Sequence, residues 1–173
     1  MTAAEQSSEA IDADGLLTKL DELSIVHRTV SHAPMFTVQD SRAWRSDPEG
    51  GYSKNLFLRN KKGIMWLVTC HEDTVVNLKQ LGELLGIGRV SFASKERLLK
   101  YLGVIPGAVT PFAVINDVDA QVQIALDEKL LEFDKLHFHP LDNAKTTTIA
   151  NQDLIKFLHA VEHPPKTIRF DTD

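Results

Sequence analysis

A lysine stands at the head of an apolar run in this chain. Lys54 precedes residues 55–58, in which Leu56, Phe57 and Leu58 follow one asparagine. Because an unpaired ammonium is costly to bury, a lysine that enters a core-like strand should point at a partner or an open site. A fixed positive charge in such a place can stabilise an oxyanion as it forms. The alternative is an ordinary lysine at a strand end, with its ammonium held in water.

Two histidines form the next candidate pair. His137 and His139 are two residues apart on a predicted strand, so both side chains should face the same way. No Cys or carboxylate stands at a matching metal-ligand distance, so we predict no metal site and a structural or substrate-binding role for at least one imidazole. Cys70 neighbours His71, but adjacent strand residues face opposite sides, which favours a small buried cysteine over a nucleophile.

A short loop bounded by Gly107 and Pro111 is the third candidate. Glycine lets backbone amides approach a ligand, and proline fixes the exit of the loop. The alternative is a rigid connection from helix to strand. Neither the Walker spacing nor the dinucleotide-binding glycine spacing occurs, so the sequence supports no nucleotide cofactor.

Composition limits the class of protein. The chain has 173 residues, of which 43% are hydrophobic, and this fits one domain over residues 13–173 after a flexible polar tail at 1–12. It has no apolar stretch of membrane-spanning length and no signal-type N-terminus, and its one cysteine suits a reducing compartment. We therefore expect a cytoplasmic protein without a membrane partner. The net charge of -5 argues against an extended nucleic-acid groove, but it allows a local basic patch that binds one end of an RNA.

Helices and strands predicted from apolar periodicity must position these residues. One hairpin pairs the run at 54–58 with residues 64–68, with Lys54 at its open end. A second hairpin is predicted between residues 112–115 and 122–126. Further strands are predicted at 25–30, 135–139 and 167–170, and helices at 16–23, 38–44, 76–85, 94–102 and after Asn151, the predicted N-cap of the last helix. The pattern predicts an α/β (α+β) fold with a mixed, largely antiparallel sheet flanked by helices.

Four segments are informative in combination. They are Thr-Val-Ser-His-Ala-Pro at 29–34, Lys-Asn-Leu-Phe-Leu at 54–58, Gly-Ala-Val-Thr-Pro at 107–111 and Phe-His-Pro-Leu-Asp-Asn at 138–143. Together they resemble the YbaK-type aminoacyl-tRNA deacylases over nearly the whole chain. The second and fourth segments are most similar to the free-standing prolyl-tRNA synthetase-associated editing proteins, the ProXp-ala or PrdX group. This resemblance implies a metal-independent hydrolase, without cofactors, that removes alanine mischarged onto tRNA(Pro).

The resemblance also implies a set of site residues. Lys54 and His139 match its catalytic positions, whereas His137 lies outside the motif and leaves open which histidine lines the pocket. The implied substrate-binding residues are Asn55, Phe57, Gly107, Ala108, Val109, Thr110, Pro111 and Asn143. We expect water to attack the ester directly, with a ribose hydroxyl as a further aid, and backbone amides of residues 107–110 as additional donors. Phe57, Val109 and Leu141 are the expected pocket walls.

The implied partner is the acceptor end of a mischarged tRNA, with prolyl-tRNA synthetase or translation factors as candidate protein partners. Basic residues expected to contact phosphates, unless they are only solvated surface charges, are Arg42, Arg45, Arg59, Lys61 and Lys62. One alternative is a deacylase for tRNA mischarged with cysteine, serine or threonine. The others are a non-catalytic nucleic-acid-binding module of the same fold and a metal hydrolase.

Overall fold

The computed structural model describes residues 10–45 and 47–170. Its helices are α1 (Ala13–Glu22), α2 (Val38–Trp44), α3 (Leu78–Leu84), α4 (Lys95–Leu102) and α5 (Asn151–Ala160), with 3-10 turns at Pro106–Ala108, Pro111–Asn116 and Leu130–Glu132. Its strands are β1 (His27–Ser31), β2 (Gly51–Arg59), β3 (Met65–His71), β4 (Ser91–Phe92), β5 (Val122–Asp127), β6 (Lys135–Phe138), β7 (Lys145–Ala150) and β8 (Lys166–Ile168). Within the described ranges, no helix has the length and apolar character needed to cross a membrane.

One mixed sheet organises these elements. Its strand order is β1-β7-β6-β2-β3-β5-β8, and β4 pairs with β2 beside this path. The pairs β1/β7, β6/β7, β2/β3 and β2/β4 are antiparallel, whereas β2/β6, β3/β5 and β5/β8 are parallel. The predicted fold class, a mixed and largely antiparallel sheet flanked by helices, is confirmed.

The sheet parts between β2 and β6. These strands pair only at Gly51 with Leu136 and at Tyr52 with His137. Further along the same edge of β2, β4 pairs with Leu58 and Arg59. Between these points, residues 53–56 of β2 have no strand beside them on that edge among the described elements. The gap therefore exposes side chains and backbone of β2 in the middle of the sheet.

Two apolar clusters pack on the two faces of the sheet. Alternation along β2 and β3 places Phe57 and Leu67 in the first cluster and Leu58 and Trp66 in the second. Helices α1, α4 and α5 contribute to the first cluster, and α3 contributes Leu81 to the second. Every residue of β3 is buried, so this strand lies at the centre of the domain.

The predicted strand at residues 112–115 is wrong, and so is the second hairpin. These residues belong to the 3-10 turn Pro111–Asn116, in which Thr110 Oγ1 accepts a hydrogen bond of 3.3 Å from the Phe112 N–H. Every residue from Pro111 to Ile115 is buried. A fully buried apolar run lacks the polar alternation that separates a strand from a helical turn. Strand β5 pairs instead with β3 and β8, both in parallel.

The start of α5 also differs from the prediction. Ala150 is its N-cap, and Asn151 is the first helical residue, whose Nδ2 donates to Leu131 O at 3.0 Å. Strand β7, directly before it, was not predicted, because Thr146, Thr147 and Thr148 break the apolar pattern. Thr37 caps α2 and Ser94 caps α4, each by accepting a hydrogen bond from a backbone N–H of the first turn.

The tail predicted at residues 1–12 falls mainly on residues 1–9, which lie outside the described part of the chain. Within the described part, the Ile11 N–H donates to Asn116 Oδ1 at 2.7 Å, and Asn116 Nδ2 donates back to Ile11 O at 3.3 Å. Asp12 then caps α1. The bonded part of the domain therefore includes Ile11 and Asp12.

A buried ion pair fixes the end of α5 to the turn before β5. His163 Nε2 lies 2.9 Å from Asp117 Oδ2, and each side chain is 3% exposed. His163 Nδ1 donates to Val161 O at 2.7 Å, and Asp117 Oδ2 also accepts from the Val122 N–H at 2.7 Å. Burial opposes the charged imidazolium, but the hydrogen bonds to Asp117 and Val161 prevail and raise the pKa of His163 above its ordinary value.

We expect Asp117→Ala to lower the free energy of unfolding by about 3 kcal/mol, because it leaves two buried donors without their acceptor. Since folding raises the pKa of His163, the stability from the pair is complete below a pH of about 6.5 and is lost as the pH rises through the raised pKa. Urea denaturation across this pH range measures both effects, with His163→Gln as the non-titrating control. A wild-type profile parallel to that of His163→Gln would contradict this account.

Candidate active site

A cavity of about 200 Å³ opens where β2 and β6 part. Strand β2 contributes Lys54 and Asn55. The 3-10 turn Pro106–Ala108 and the residue after it contribute Gly107 and Val109. His139, directly after β6, completes this part of the wall. The parting of two neighbouring strands thus brings together residues that are more than 80 positions apart in the sequence.

The remaining predicted site residues lie behind the cavity wall. Ala108, Thr110 and Pro111 are buried in the loop, where Thr110 serves as the cap of the 3-10 turn. Asn143 is also buried, and its Nδ2 donates to Met35 O at 3.0 Å. These four residues shape the wall and do not line the cavity.

The expected pocket walls are corrected in the same way. Phe57 is 5% exposed, packs in the first apolar cluster and does not line the cavity. Leu141 packs against the same cluster and does not line the cavity. Val109 lines it as expected.

Lys54 lies in the cavity wall without a carboxylate partner among the described residues. In the hairpin register it stands opposite Cys70, and Asn55 stands opposite Thr69. The Thr69 hydroxyl donates to Asn55 Oδ1 at 2.8 Å, which fixes the amide beside the lysine. The charge of Lys54 is therefore available to a ligand, and the side chain of Asn55 is already oriented.

Cys70 is buried, as predicted. Burial and the charge of Asp127 raise the pKa of its thiol to about 12, against the opposing charge of Lys54. A thiol nucleophile must be deprotonated, so this cysteine is inert at neutral pH.

Both predicted histidines line the cavity, but they differ in their free ring atoms. His137 Nε2 lies 2.7 Å from Glu49 O, and its Nδ1 lies 2.7 Å from the hydroxyl of Thr148. Because a carbonyl can only accept, Nε2 carries the proton and Nδ1 accepts from the threonine. His137 also stacks on Tyr52, with ring centroids 4.2 Å apart. Both nitrogens of His137 are thus used within the fold.

His139 keeps one ring nitrogen for a ligand. Its Nδ1 lies 2.8 Å from Lys145 O, so Nδ1 carries the proton and Nε2 holds a lone pair. No group of the described residues bonds to Nε2. Burial lowers the pKa of His139 below its ordinary value, and the nearby His32 adds to this, against the opposing hydrogen bond to Lys145 O. His139 is therefore a neutral hydrogen-bond acceptor at pH 7.

A cover over the cavity was not predicted as part of the site. Its residues, 35–41, include the start of α2, and Met35 is held by Asn143 through a pair of hydrogen bonds. Helix α2 buries none of its residues, and Phe36 is 67% exposed. The cover is therefore held at Met35 by Asn143 and at the end of α2 by the ion pairs of Arg42 and Arg45, with Phe36 exposed between them.

Gly107 lies directly under this cover. A Cβ added there would be 2.8 Å from Phe36 Cδ1 and 3.0 Å from Asn143 Nδ2. We expect Gly107→Ala to reduce kcat/KM for the ester hydrolysis that the sequence motifs imply by about tenfold, because it displaces the cover from the cavity. Steady-state kinetics in a double-mutant cycle with Phe36→Ala test this mechanism. Equal effects of Gly107→Ala with and without Phe36 would contradict it.

The basic residues expected to contact RNA lie in two places. Arg42 and Arg45 stand at the end of α2, paired with Asp73 and Glu72. The hairpin residues Arg59, Lys61 and Lys62 stand at the far end of β2, about 17 Å or more from Lys54 at the usual rise of a strand. The cavity is therefore flanked by α2 and not by the hairpin turn.

No group of three or more metal-binding side chains clusters among the described residues. The site consists instead of a free lysine ammonium, a fixed amide, a neutral imidazole acceptor and a glycine loop. This set can bind an ester carbonyl, place a water molecule and stabilise an oxyanion.

The chain belongs to the aminoacyl-tRNA editing domain family, whose sequence model matches residues 32–157. It is an aminoacyl-tRNA deacylase of the trans-editing, proofreading type, which confirms the class that the sequence motifs implied.

Relatives cover most of the chain. The prolyl-tRNA editing protein ProX of Acetoanaerobium sticklandii is 37% identical over 146 residues, which are 84% of this chain and 89% of that protein. The prolyl-tRNA synthetase associated domain-containing protein 1 of Mus musculus is 36% identical over 158 residues, 88% of this chain and 93% of that protein. A solved structure described as a candidate trans-editing enzyme for prolyl-tRNA synthetase shares the fold, with a TM-score of 0.69 at 16% identity over 92% of this chain and 97% of that chain.

Proposed function

We propose that this deacylase hydrolyses alanine mischarged onto tRNA(Pro). The observation that carries the proposal is the meeting of the unpaired Lys54 and the free Nε2 of His139 in one small cavity. The relative named prolyl-tRNA editing protein supports the choice of tRNA. We place the reaction in the cytoplasm, where a synthetase or a translation factor would supply the charged tRNA.

The proposed reaction is attack by water on the aminoacyl ester. The water oxygen bonds to the ester carbonyl carbon, and the carbonyl oxygen becomes an oxyanion that the ammonium of Lys54 stabilises. Nε2 of His139 accepts a hydrogen bond from the attacking water. The bond from the carbonyl carbon to the ribose oxygen then breaks, and the ribose oxygen takes the proton that the attacking water gives up. The products are free alanine and uncharged tRNA.

The backbone donors of the loop are fewer than the sequence predicted. The Ala108 N–H already donates to Ile105 O at 2.9 Å, so it is not available to an oxyanion. The positive charge of Lys54 therefore has the larger part in the proposed mechanism.

Selection by size supports alanine as the substrate. A synthetic site shaped for proline excludes a smaller side chain by only about 1–3 kcal/mol, so a second and smaller site is needed to remove the error. Met35, Val109 and Phe138 contribute apolar side chains to the wall of this cavity. These side chains favour contact with the methyl group of alanine over a polar side chain such as that of serine.

The test is deacylation of a matched panel of charged tRNAs by the purified protein. We expect Ala-tRNA(Pro) to be hydrolysed well above the rate without enzyme, Pro-tRNA(Pro) to be spared, and chelation of metal ions to have no effect. Survival of Ala-tRNA(Pro) while a cysteinyl, seryl or threonyl ester is cleaved would replace the proposed substrate. Binding of tRNA without hydrolysis of any ester would favour a non-catalytic module. Addition of prolyl-tRNA synthetase to the same assay tests the proposed protein partner.

A further inference from the structure

A second cavity, of about 150 Å³, adjoins the first. The two share Met35, Tyr52, His137 and Thr146 in their walls, so they meet along one boundary. From there the second cavity extends between the end of α2 and strands β1 and β7, toward Trp44 and Arg28. Val30 and His32, from the motif at residues 29–34, also line it, whereas Arg28 and Trp44 belong to none of the four motifs.

We propose that this second cavity binds the 3′-terminal nucleoside and phosphate of the RNA whose ester enters the first cavity. The inference rests on the proposed function for the identity of the ester. The first cavity holds Lys54, Asn55 and His139, which can act on the ester, whereas the second holds Arg28 and Trp44, which can contact a phosphate and a base. In the proposal the ester bond lies where the two cavities adjoin.

One cation of the second cavity favours a phosphate. Lys135 pairs with Asp47 at 2.8 Å and lies 3.7 Å from Glu49, and Arg45 pairs with Glu72. Arg28 lines the cavity, is exposed and has no carboxylate partner among the described residues. An exposed arginine whose charge is not used within the fold can contact a phosphate of the RNA backbone.

The aromatic groups of the second cavity favour a base. Trp44 is 59% exposed at the end of α2, where its ring contacts no partner that would bury it. Other rings of this region already stack within the fold. The Arg45 guanidinium lies 3.7 Å from the centroid of the Tyr52 ring, and Tyr52 stacks on His137. Unpaired RNA ends are bound by stacking of bases on exposed aromatic rings, and Trp44 is placed for this contact.

The experiment uses the uncharged trinucleotide cytidylyl-cytidylyl-adenosine as the probe and measures its affinity by calorimetry. We expect Trp44→Ala to weaken binding by about tenfold. Arg28→Ala should reduce the slope of log affinity against log salt by about 0.7, because one phosphate contact is lost. Phe92→Ala and Arg89→Ala are the matched controls, since both residues are exposed and lie outside the two cavities.

Kinetics separate this inference from the proposed function. With Ala-tRNA(Pro), both cavity variants should raise KM and keep kcat near the wild-type value. If Trp44→Ala and Arg28→Ala deacylate the tRNA and bind the trinucleotide as the wild type does, the second cavity does not bind the RNA end. The proposed function would still stand. Trinucleotide binding that depends on Trp44 and Arg28, without hydrolysis of any charged tRNA, would support the second cavity as an RNA site and overturn the proposed function. Adenosine 5′-monophosphate carries the proposed nucleoside and phosphate, so its affinity should fall in the same two variants. Variants that weaken the trinucleotide but leave the affinity for adenosine monophosphate unchanged would place the contacts at the two cytidines and overturn the inference.

Discussion

Replacement of Lys54 by alanine is expected to lower kcat for deacylation by about 100- to 1000-fold. The reason is that this ammonium has no carboxylate partner among the described residues and lies in the cavity wall, where it can meet the developing oxyanion. Its removal breaks no ion pair of the fold, so the thermal midpoint should stay close to that of the wild type. Single-turnover hydrolysis of Ala-tRNA(Pro) measures the chemical step directly.

Lys61→Ala is the matched control for this experiment. Lys61 is an exposed lysine in the turn that joins β2 and β3, far from the cavity. Its loss should leave the single-turnover rate unchanged. A Lys54→Ala enzyme that keeps its rate but binds tRNA more weakly would assign the lysine to RNA binding and not to catalysis.

Replacement of His139 by alanine is expected to reduce kcat/KM by about 100-fold, the usual size of a lost general acid or base. Only the neutral form has the free Nε2 acceptor, and burial lowers the pKa of His139 below its ordinary value of about 6.5. The wild-type rate should therefore be flat above that pH and fall only as the pH drops through the lowered pKa. Rates across this range, corrected for spontaneous ester hydrolysis, measure the effect.

His137→Ala is the control that separates the two histidines. Both nitrogens of His137 are bonded within the fold, so its loss should lower the free energy of unfolding by about 1–3 kcal/mol and leave the acid side of the pH profile in place. In His139→Ala the fall in rate at low pH should disappear. An unchanged acid side in His139→Ala would show that another group titrates.

The sequence predicted part of the cavity wall. Lys54 stood out as a charge before an apolar run and His139 as one of two histidines on one strand, whereas Asn55 came from the family resemblance; all three line the cavity. Their meeting point could not be derived from spacing, since it depends on how two distant strands part. Phe57 was expected in the wall but packs in the first apolar cluster, and the sequence holds no local signal for that difference.

The cover over the cavity shows a different limit. Phe36 and Met35 look like ordinary apolar residues after a proline, and only the hydrogen bonds between Met35 and Asn143 place them over Gly107. Such a long-range pair has no local signal. The 3-10 turn Pro111–Asn116 was missed because burial on all sides removes the periodicity on which the strand prediction relied.

Because β2 is shared between two groups of strands, no single rigid surface carries both walls of the cavity. One group supplies His139, the other supplies Lys54, and the joint between them is only two residue pairs long. A small change in the twist of the sheet at this joint changes the distance between the two walls of the cavity. Gly51 lies in the joint, where an added Cβ would stand 2.9 Å from Leu136. We therefore expect substitutions at the joint to change the width of the cavity and the distance between Lys54 and His139 together, without any change in the residues that line it.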